Sequence, residues 1–264
     1  MEYIRQCLIC GSYRLKELVS RTCRRPVEDL GGTSTGGDNY RSEMLYFLFC
    51  HLLPDVDDAT FVVELCRDCG MVFSNPRLTP EEMSEKYRVL SSRPKLWEHA
   101  NNNSPLRDDE RANRIYRLLS EPGNGPLRSL SVLDYGGAQG LNLVPFTARY
   151  RCYLIDYVEH RIPPGVERLG RDLDDFHQEM RFDLILLCHV LEHVTHPVEL
   201  LGRLAALLAA GGQLYVEVPL GAFREWRVFK EPLTHVNFFS EQSLGRCLAR
   251  WPIPASKPII GMRS

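Results

Sequence analysis

Nothing in this chain is built to span a membrane. Its longest uninterrupted apolar stretch near the N-terminus, MLYFLFC, is far shorter than a bilayer crossing. MEYIRQC carries no apolar run behind its first basic residue, so a secretion signal is not expected either. Net charge is nearly absent, at −2 over 264 residues, which argues against a nucleic-acid partner. No internal repeat suggests a solenoid. A soluble, cytoplasmic protein without a membrane partner is the expectation. The hydrophobic share of 44% suffices for one sizeable core with a small satellite.

Cysteine, by contrast, is plentiful: there are nine. Without a secretion signal a disulfide framework is not expected, so the thiols are reduced or metal-bound. Cys152 and Cys188 sit in strand-like runs and Cys247 in a helical one, and all three read as small core residues. The other six lie before residue 70. Cys7-x-x-Cys10 and Cys66-x-x-Cys69 are each followed by glycine, as in a zinc knuckle. The small residue lets backbone amides point at thiolate sulfurs, and four thiolates complete a closed, structural tetrahedral Zn2+ site. Closing the long loop between the knuckles costs little more than closing a short one. Cys23, Cys50 and His51 stand as substitutes for one ligand.

These knuckles bracket GGTSTGGDNY, Gly31 to Tyr40, whose composition resists fixed structure. Residues 1–78 thus read as a zinc-binding module with a flexible insertion over about 24–60. TPEEMSEKY then begins a helix at Thr79, with an N-cap threonine, a first-turn proline and early acids. A second helix is expected over 107–120 and EPGNGP is a linker, so residues 79–127 form a helical linker or lid. In residues 128–264 the strands SVLDY, RCYLIDY, FDLILLC and QLYVEV alternate with helical pieces, and VERLG is a shorter strand. The helix in VTHPVELLGRLAALLAAGG is expected to end at Gly211 or Gly212. This alternation predicts an α/β fold with a mostly parallel sheet and helices on both faces.

VLDYGGAQG places three glycines directly after the first of those strands. A P-loop would need Gly-Lys-Ser/Thr at its end, but Gly140 is followed by Leu-Asn. The dinucleotide pattern G-x-G-x-x-G fails from Gly136 onward. The pattern D-x-G-x-G-x-G fits with Asp134, Gly136, Gly137 and Gly140, and with Ala138 at the middle glycine position. It resembles the first motif of class I S-adenosylmethionine-dependent methyltransferases, whose fold is Rossmann-like. A cofactor with a cationic amino-acid end and no phosphates suits a carboxylate at the strand's end.

The resemblance extends along most of the chain. FDLILLCHVLEHVTHPVELLGRLAALLAAGGQLYVEVP, Phe182 to Pro219, looks like the fourth strand, helix and fifth strand of that family. It implies that Asp156 accepts from ribose hydroxyls, Asp172 accepts from the adenine amino group, and His189 lines the cofactor. CLICGS and CRDCGMVFSNPRLTPEEMSEKY look like the zinc-containing N-terminal segment of a bacterial methyltransferase group associated with sugar, surface-polysaccharide or natural-product pathways. Two departures stand out. VEHRIPPG leaves little room for a helix between the second and third strands, and the C-terminus has room for one strand where the family closes with a strand hairpin.

The implied activity is methyl transfer from S-adenosylmethionine to a small-molecule acceptor such as a nucleotide-linked sugar. LTHVNFFS resembles a stretch that follows the fifth strand in many small-molecule and sugar methyltransferases, which implies His235 at the acceptor end of the crevice as leading base, with His189 second and Glu217 as a candidate lining residue. His189 and His193 are spaced like a helical metal pair, but HVLEH is not HExxH and supplies no third ligand. The absence of an NPPY-like tetrapeptide argues against methylation of base amines. Two rivals share these residues: an RNA methyltransferase gripping its substrate with the zinc module, and a non-catalytic binding protein that keeps the fold.

Overall fold

The computed structural model describes residues 1–26, 37–91, 105–120, 131–157, 161–176, 179–219, 231–251 and 259–263. The N-terminal part runs β1 (Leu15–Arg24), α1 (Gly37–Phe47), a wide π-type turn (Leu48–Leu52), β2 (Asp58–Cys66), β3 (Val72–Asn75), α2 (Pro80–Ser91) and α3 (Pro105–Ser120). There follow β4 (Ser131–Tyr135), β5 (Arg151–Ile155), β6 (Val166–Gly170), β7 (Phe182–Cys188), α4 (Pro197–Ala206) and β8 (Leu208–Pro219). The chain ends with β9 (Asn237–Phe238), α5 (Glu241–Leu248) and β10 (Ile259–Arg263). No helix among the described residues is long and apolar enough to cross a membrane.

The larger sheet has six strands in the order β10-β8-β7-β4-β5-β6, and every pairing is parallel. Its central strands β4, β5 and β7 are buried along nearly their whole length, as a doubly covered sheet requires. Alternate residues sort cleanly. Val132, Cys152, Leu154, Leu184, Leu186 and Tyr215 pack with Ile115 and Leu119 of α3. Their neighbours Leu133, Tyr153, Ile155, Ile185, Leu187 and Val216 pack with α4 and α5. The expected α/β fold, with helices on both faces of a Rossmann-like parallel sheet, is what the structure shows. Cys152, Cys188 and Cys247 are buried core residues, as read from the sequence.

The smaller sheet, ordered β1-β2-β3-β9, is antiparallel. Its last strand comes from residues 237–238, where Val72 faces Phe238, so the sheet crosses the boundary read at residue 78. Arg77, almost fully buried, reinforces the joint by donating to Val194 O (3.0 Å) and Asn237 Oδ1 (3.1 Å). The cysteine knuckles also share one hydrophobic core with the parallel sheet's α4/α5 face.

Two expectations are corrected. The insertion read as flexible over about 24–60 contains α1, the π-type turn and the start of β2. Met44, Phe47, Leu48 and Phe49 are buried against Phe61, Val63 and Leu78, and that burial outweighs the polar composition upstream. Of the glycine-rich segment itself, residues 31–36 lie outside the described residues. The helix expected to reach Gly211 stops at Ala206, because Leu208 already pairs with Phe182. The next pairing joins Leu184 to Gln213, so residues 209–212 bulge out of register, with Gly211 at φ +78°.

The helix start at Thr79 is as predicted. Glu82 N donates to Thr79 Oγ1 (3.3 Å) and Thr79 N to Glu82 Oε2 (2.8 Å), a reciprocal cap. Leu187→Ala, at the centre of the parallel sheet, is expected to lower unfolding free energy by about 3 kcal/mol. Thr79→Ala is expected to lower it by about 1 kcal/mol. Urea denaturation measures both, and equal losses would contradict this layering.

Candidate functional site

The carboxyl ends of β4, β5, β7 and β8 converge on one crevice, the usual ligand position in an open parallel sheet. Asp134, near the end of β4, is fully buried. Its Oδ2 accepts from Asn142 Nδ2 at 3.0 Å, and its Oδ1 has no partner among the described residues. Burial raises its pKa to about 7, although Asn142 and Arg111 pull the other way. Arg111 reaches this group from α3, its Nε donating to Asn142 Oδ1 at 3.1 Å.

The glycine turn has the shape that this burial demands. A Cβ on Gly137 would stand 2.1 Å from Asp134 Oδ2, and one on Gly136 would stand 2.6 Å from Val190 Cγ2. Gly136 and Gly140 adopt left-handed φ of +69° and +73°. Ala138, at the motif's middle glycine position, takes φ +50° despite its side chain. Its N–H is held by Asp156 Oδ2 at 2.7 Å, so the β5-tip carboxylate braces the loop. A 3-10 turn (Leu141–Phe146) containing Pro145 follows in place of a regular helix.

Asp172 is placed beside the same crevice but its carboxylate is engaged. It caps the 3-10 turn Leu173–Asp175 and accepts from the hydroxyls of Tyr135 (3.5 Å) and Tyr157. Tyr157 in turn stacks on Tyr87 of α2, with centroids 5.0 Å apart and planes 7° from parallel. A helix of the N-terminal region therefore walls this end of the crevice.

The histidines fall into two environments. His189, at φ +56°, lies between two buried carboxylates: Nδ1 is 3.2 Å from Glu192 Oε1 and Nε2 is 3.4 Å from Glu217 Oε1. Burial would lower its pKa, but the bonds to Glu192 and then Glu217 overcome this and hold it at about 9. At neutral pH it is an imidazolium, with no lone pair to take a proton. Glu217 also accepts from Arg114 and from the Tyr215 hydroxyl, each at 2.6 Å. Against the upward pull of burial, His189, Tyr215 and Arg114 bring Glu217 down to about 2.

His193 is the opposite case. Burial lowers its pKa to about 4, so it is neutral, and its Nδ1 bonds to Thr234 O at 2.7 Å. Half-buried His235 meets it edge to face, with centroids 4.8 Å apart. Ser240 caps α5. Lys86 of α2, almost fully buried, donates to Leu233 O at 2.6 Å just ahead of this loop.

Away from the crevice, the sulfurs of Cys7, Cys10, Cys66 and Cys69 lie within 4.8 Å of one another. Cys7 and Cys69 are 3.4 Å apart and Cys10 and Cys66 3.5 Å. Gly11 and Gly70 supply left-handed turns at φ +72° and +73°, and their N–H groups close each knuckle on Cys7 O and Cys66 O. Cys23 lies elsewhere, opposite Ala59 on β1, and neither Cys50 nor His51 belongs to the cluster.

Sequence reasoning missed Glu192, Asn142, Arg111, Arg114, Lys86 and Tyr157. Glu192 was legible, since it stands between the two histidines of HVLEH. The arginines and Lys86 carried no signal, because only tertiary packing turns their helices toward the crevice.

A family model described as a methyltransferase domain matches residues 96–251. No curated protein matches the chain. Among solved structures, the N-methyltransferase NodS from Bradyrhizobium japonicum, in complex with S-adenosyl-L-homocysteine, is 18% identical. That alignment covers 64% of this chain and 85% of that one, with a TM-score of 0.44. Magnesium protoporphyrin IX methyltransferase (ChlM) from Synechocystis, with bound S-adenosylhomocysteine, is also 18% identical, covering 54% and 71% with a TM-score of 0.42. Scores of that size add nothing to the family match.

Gly137→Ala is expected to displace the Asp134 carboxylate and to lower unfolding free energy by about 2 kcal/mol. Gly245→Ala, in α5 with open space at its Cβ, is expected to raise it by up to about 1 kcal/mol. Parallel urea denaturation checks the two signs, and a stable Gly137→Ala protein would contradict the close approach.

Proposed function

Because this chain belongs to the methyltransferase domain family, we propose that it moves a methyl group from S-adenosylmethionine to a small-molecule acceptor, such as a nucleotide-linked sugar. The observation that carries the cofactor reading is the Asp134 Oδ1 atom, buried without a partner among the described residues beneath a turn that admits no side chain at Gly136 or Gly137. A cationic ammonium group is the partner it lacks. When bound, the cofactor supplies a methyl group already activated on a sulfonium.

The chain's own residues then bind and orient. Asp134 and the amides around Gly136, Gly137 and Gly140 would hold the amino-acid end. Asp156 would brace the loop near the ribose, and Asp172 with Tyr157 would border the adenine. The His189 imidazolium fixes the neighbouring carboxylates, while His235 meets the acceptor. A polar acceptor end built from His189, Glu192, His193 and His235 suits a hydroxylated small molecule better than a long polyanion. In this reading residues 1–78 form the zinc module, 79–127 the helical lid and 128–264 the transferase domain of a cytoplasmic protein.

The pH dependence of binding tests the cofactor site. With its pKa at about 7, Asp134 is mostly protonated in the free protein at lower pH. The ligand's ammonium group favours the carboxylate, so binding there expels a proton. Affinity for S-adenosylhomocysteine, read by calorimetry, is therefore expected to rise from about pH 6 to about pH 8, at up to about tenfold per unit on the acid side. Asp134→Asn is expected to bind weakly and to lose the dependence. Absence of binding by folded protein would favour the non-catalytic reading, and salt-sensitive RNA binding would favour the RNA rival.

We also assign Cys7, Cys10, Cys66 and Cys69 to a structural zinc ion. A tetrahedron of Zn–S bonds has edges of about 3.8 Å, close to the sulfur spacings in the cluster. Metal analysis of purified protein is expected to give one zinc per chain, and exposed Cys10→Ser is expected to lower both zinc content and Tm. Metal-free protein with an unchanged Tm would sink the assignment.

A further inference from the structure

We propose that Glu192, His193 and His235 form a second metal site, which takes a divalent first-row transition ion at the acceptor end of the crevice. Their ligating atoms lie within 4.8 Å of one another. Glu192 and His193 stand on the turn after β7, and His235 stands on the loop before β9. That pairing is fixed by backbone bonds, since Val236 N and Asn237 N both donate to Glu192 O, at 2.9 and 3.1 Å. The sequence offered the pair His189 and His193 without a third ligand. The fold instead holds His189 between Glu192 and Glu217, outside the ligand set, and brings in His235 from a distant loop.

Two of the three donors are prepared for an ion. His193 gives its Nδ1 proton to Thr234 O, which leaves Nε2 as the ligating atom, 3.8 Å from Glu192 Oε1. A metal-binding imidazole is commonly oriented by such a bond from its other nitrogen. Glu192 is 1% exposed, and its Oε2 has no partner among the described residues. Two imidazoles and one carboxylate are the donor set of open zinc and non-haem iron sites. Side-chain rotation closes this set onto bonds of about 2.0–2.2 Å. Two cations stand nearby: the Lys86 ammonium is held on Leu233 O and faces Glu231, and His189 is shared between Glu217 and Glu192 Oε1, which leaves Glu192 Oε2 for the ion.

The ion's binding is independent of the methyl-transfer reading; only its role rests on that reading. A hydroxyl oxygen bound to the ion would lose its proton to solvent water more readily and be held beside the cofactor. His235 would then hold the ion instead of acting as the base.

The test is a Co2+ titration of the zinc-loaded protein, followed by calorimetry and by visible absorption. One further equivalent is expected, with weak ligand-field bands and no intense sulfur-to-cobalt charge transfer, which separates it from the cysteine cluster. His235→Ala and Glu192→Gln are each expected to weaken Co2+ binding by at least about tenfold. His235→Ala should keep a cooperative thermal transition and the zinc of the cysteine cluster, which shows that it is folded. The proposal is overturned if folded protein takes up no Co2+ at about 1 mM. It is equally overturned if only sulfur charge-transfer bands appear, or if His235→Ala binds Co2+ like wild type. Co2+ binding without S-adenosylhomocysteine binding would leave the metal site standing and remove the cofactor reading.

Discussion

Asp134 is fully buried near the end of β4, and a carboxyl group in that position keeps its charge only if a cation approaches it. Much of the crevice follows from accommodating it. Asn142 is turned inward to donate to it, Arg111 holds Asn142, and Gly137 has no side chain because the carboxylate occupies the space. The pKa of about 7 has a consequence for the free protein. An acid whose folded pKa lies above its unfolded value contributes stability that is lost as pH rises through that window. This group therefore favours the fold less at neutral pH than in acid, until a cationic ligand restores the balance. The strain stays at the point of use.

A second charged layer surrounds the first. Glu217 and Glu192 flank His189, and Arg114 closes the set from outside. Arg111 and Arg114 lie on the same helix, α3, so this helix supplies cations to both layers. Its docking completes the charge balance of the crevice as well as covering the sheet. The N-terminal region contributes in the same way. Arg77 bonds to the turn after β7, Lys86 bonds to the loop that carries His235, and Tyr87 stacks on Tyr157. The knuckles are tied to α5 through Arg246, which donates to Asp68 O at 2.6 Å. A metal that folds the knuckles would thus also steady the acceptor loop, through one continuous core.

The parallel sheet was legible because its strands are short, apolar and separated by punctuation that only such a sheet needs. The glycine turn was legible because a left-handed backbone and a close approach both demand small residues, and the cysteine cluster because knuckle spacing is a local property. What could not be read depends on distant parts of the chain meeting. A two-residue strand such as β9 has no periodicity. Helix α1, anchored by buried Met44 and Phe47, follows a glycine-rich segment whose composition speaks against a helix. Asp172 looked free in sequence, and only the fold brings Tyr157 to it. His189 looked like a base, and the two carboxylates that make it a cation, nearby Glu192 and distant Glu217, meet it only in the fold.

The account turns on the state of one carboxyl group, and a carbon-13 NMR titration of the Asp134 side chain observes it directly. The free protein should show a carboxyl titrating at about 7. With S-adenosylhomocysteine bound, the midpoint should fall into the ordinary carboxylate range of about 4 or below. A free-protein midpoint already in that range, or one that the ligand leaves unmoved, would contradict the central claim that this buried acid waits for a cationic partner.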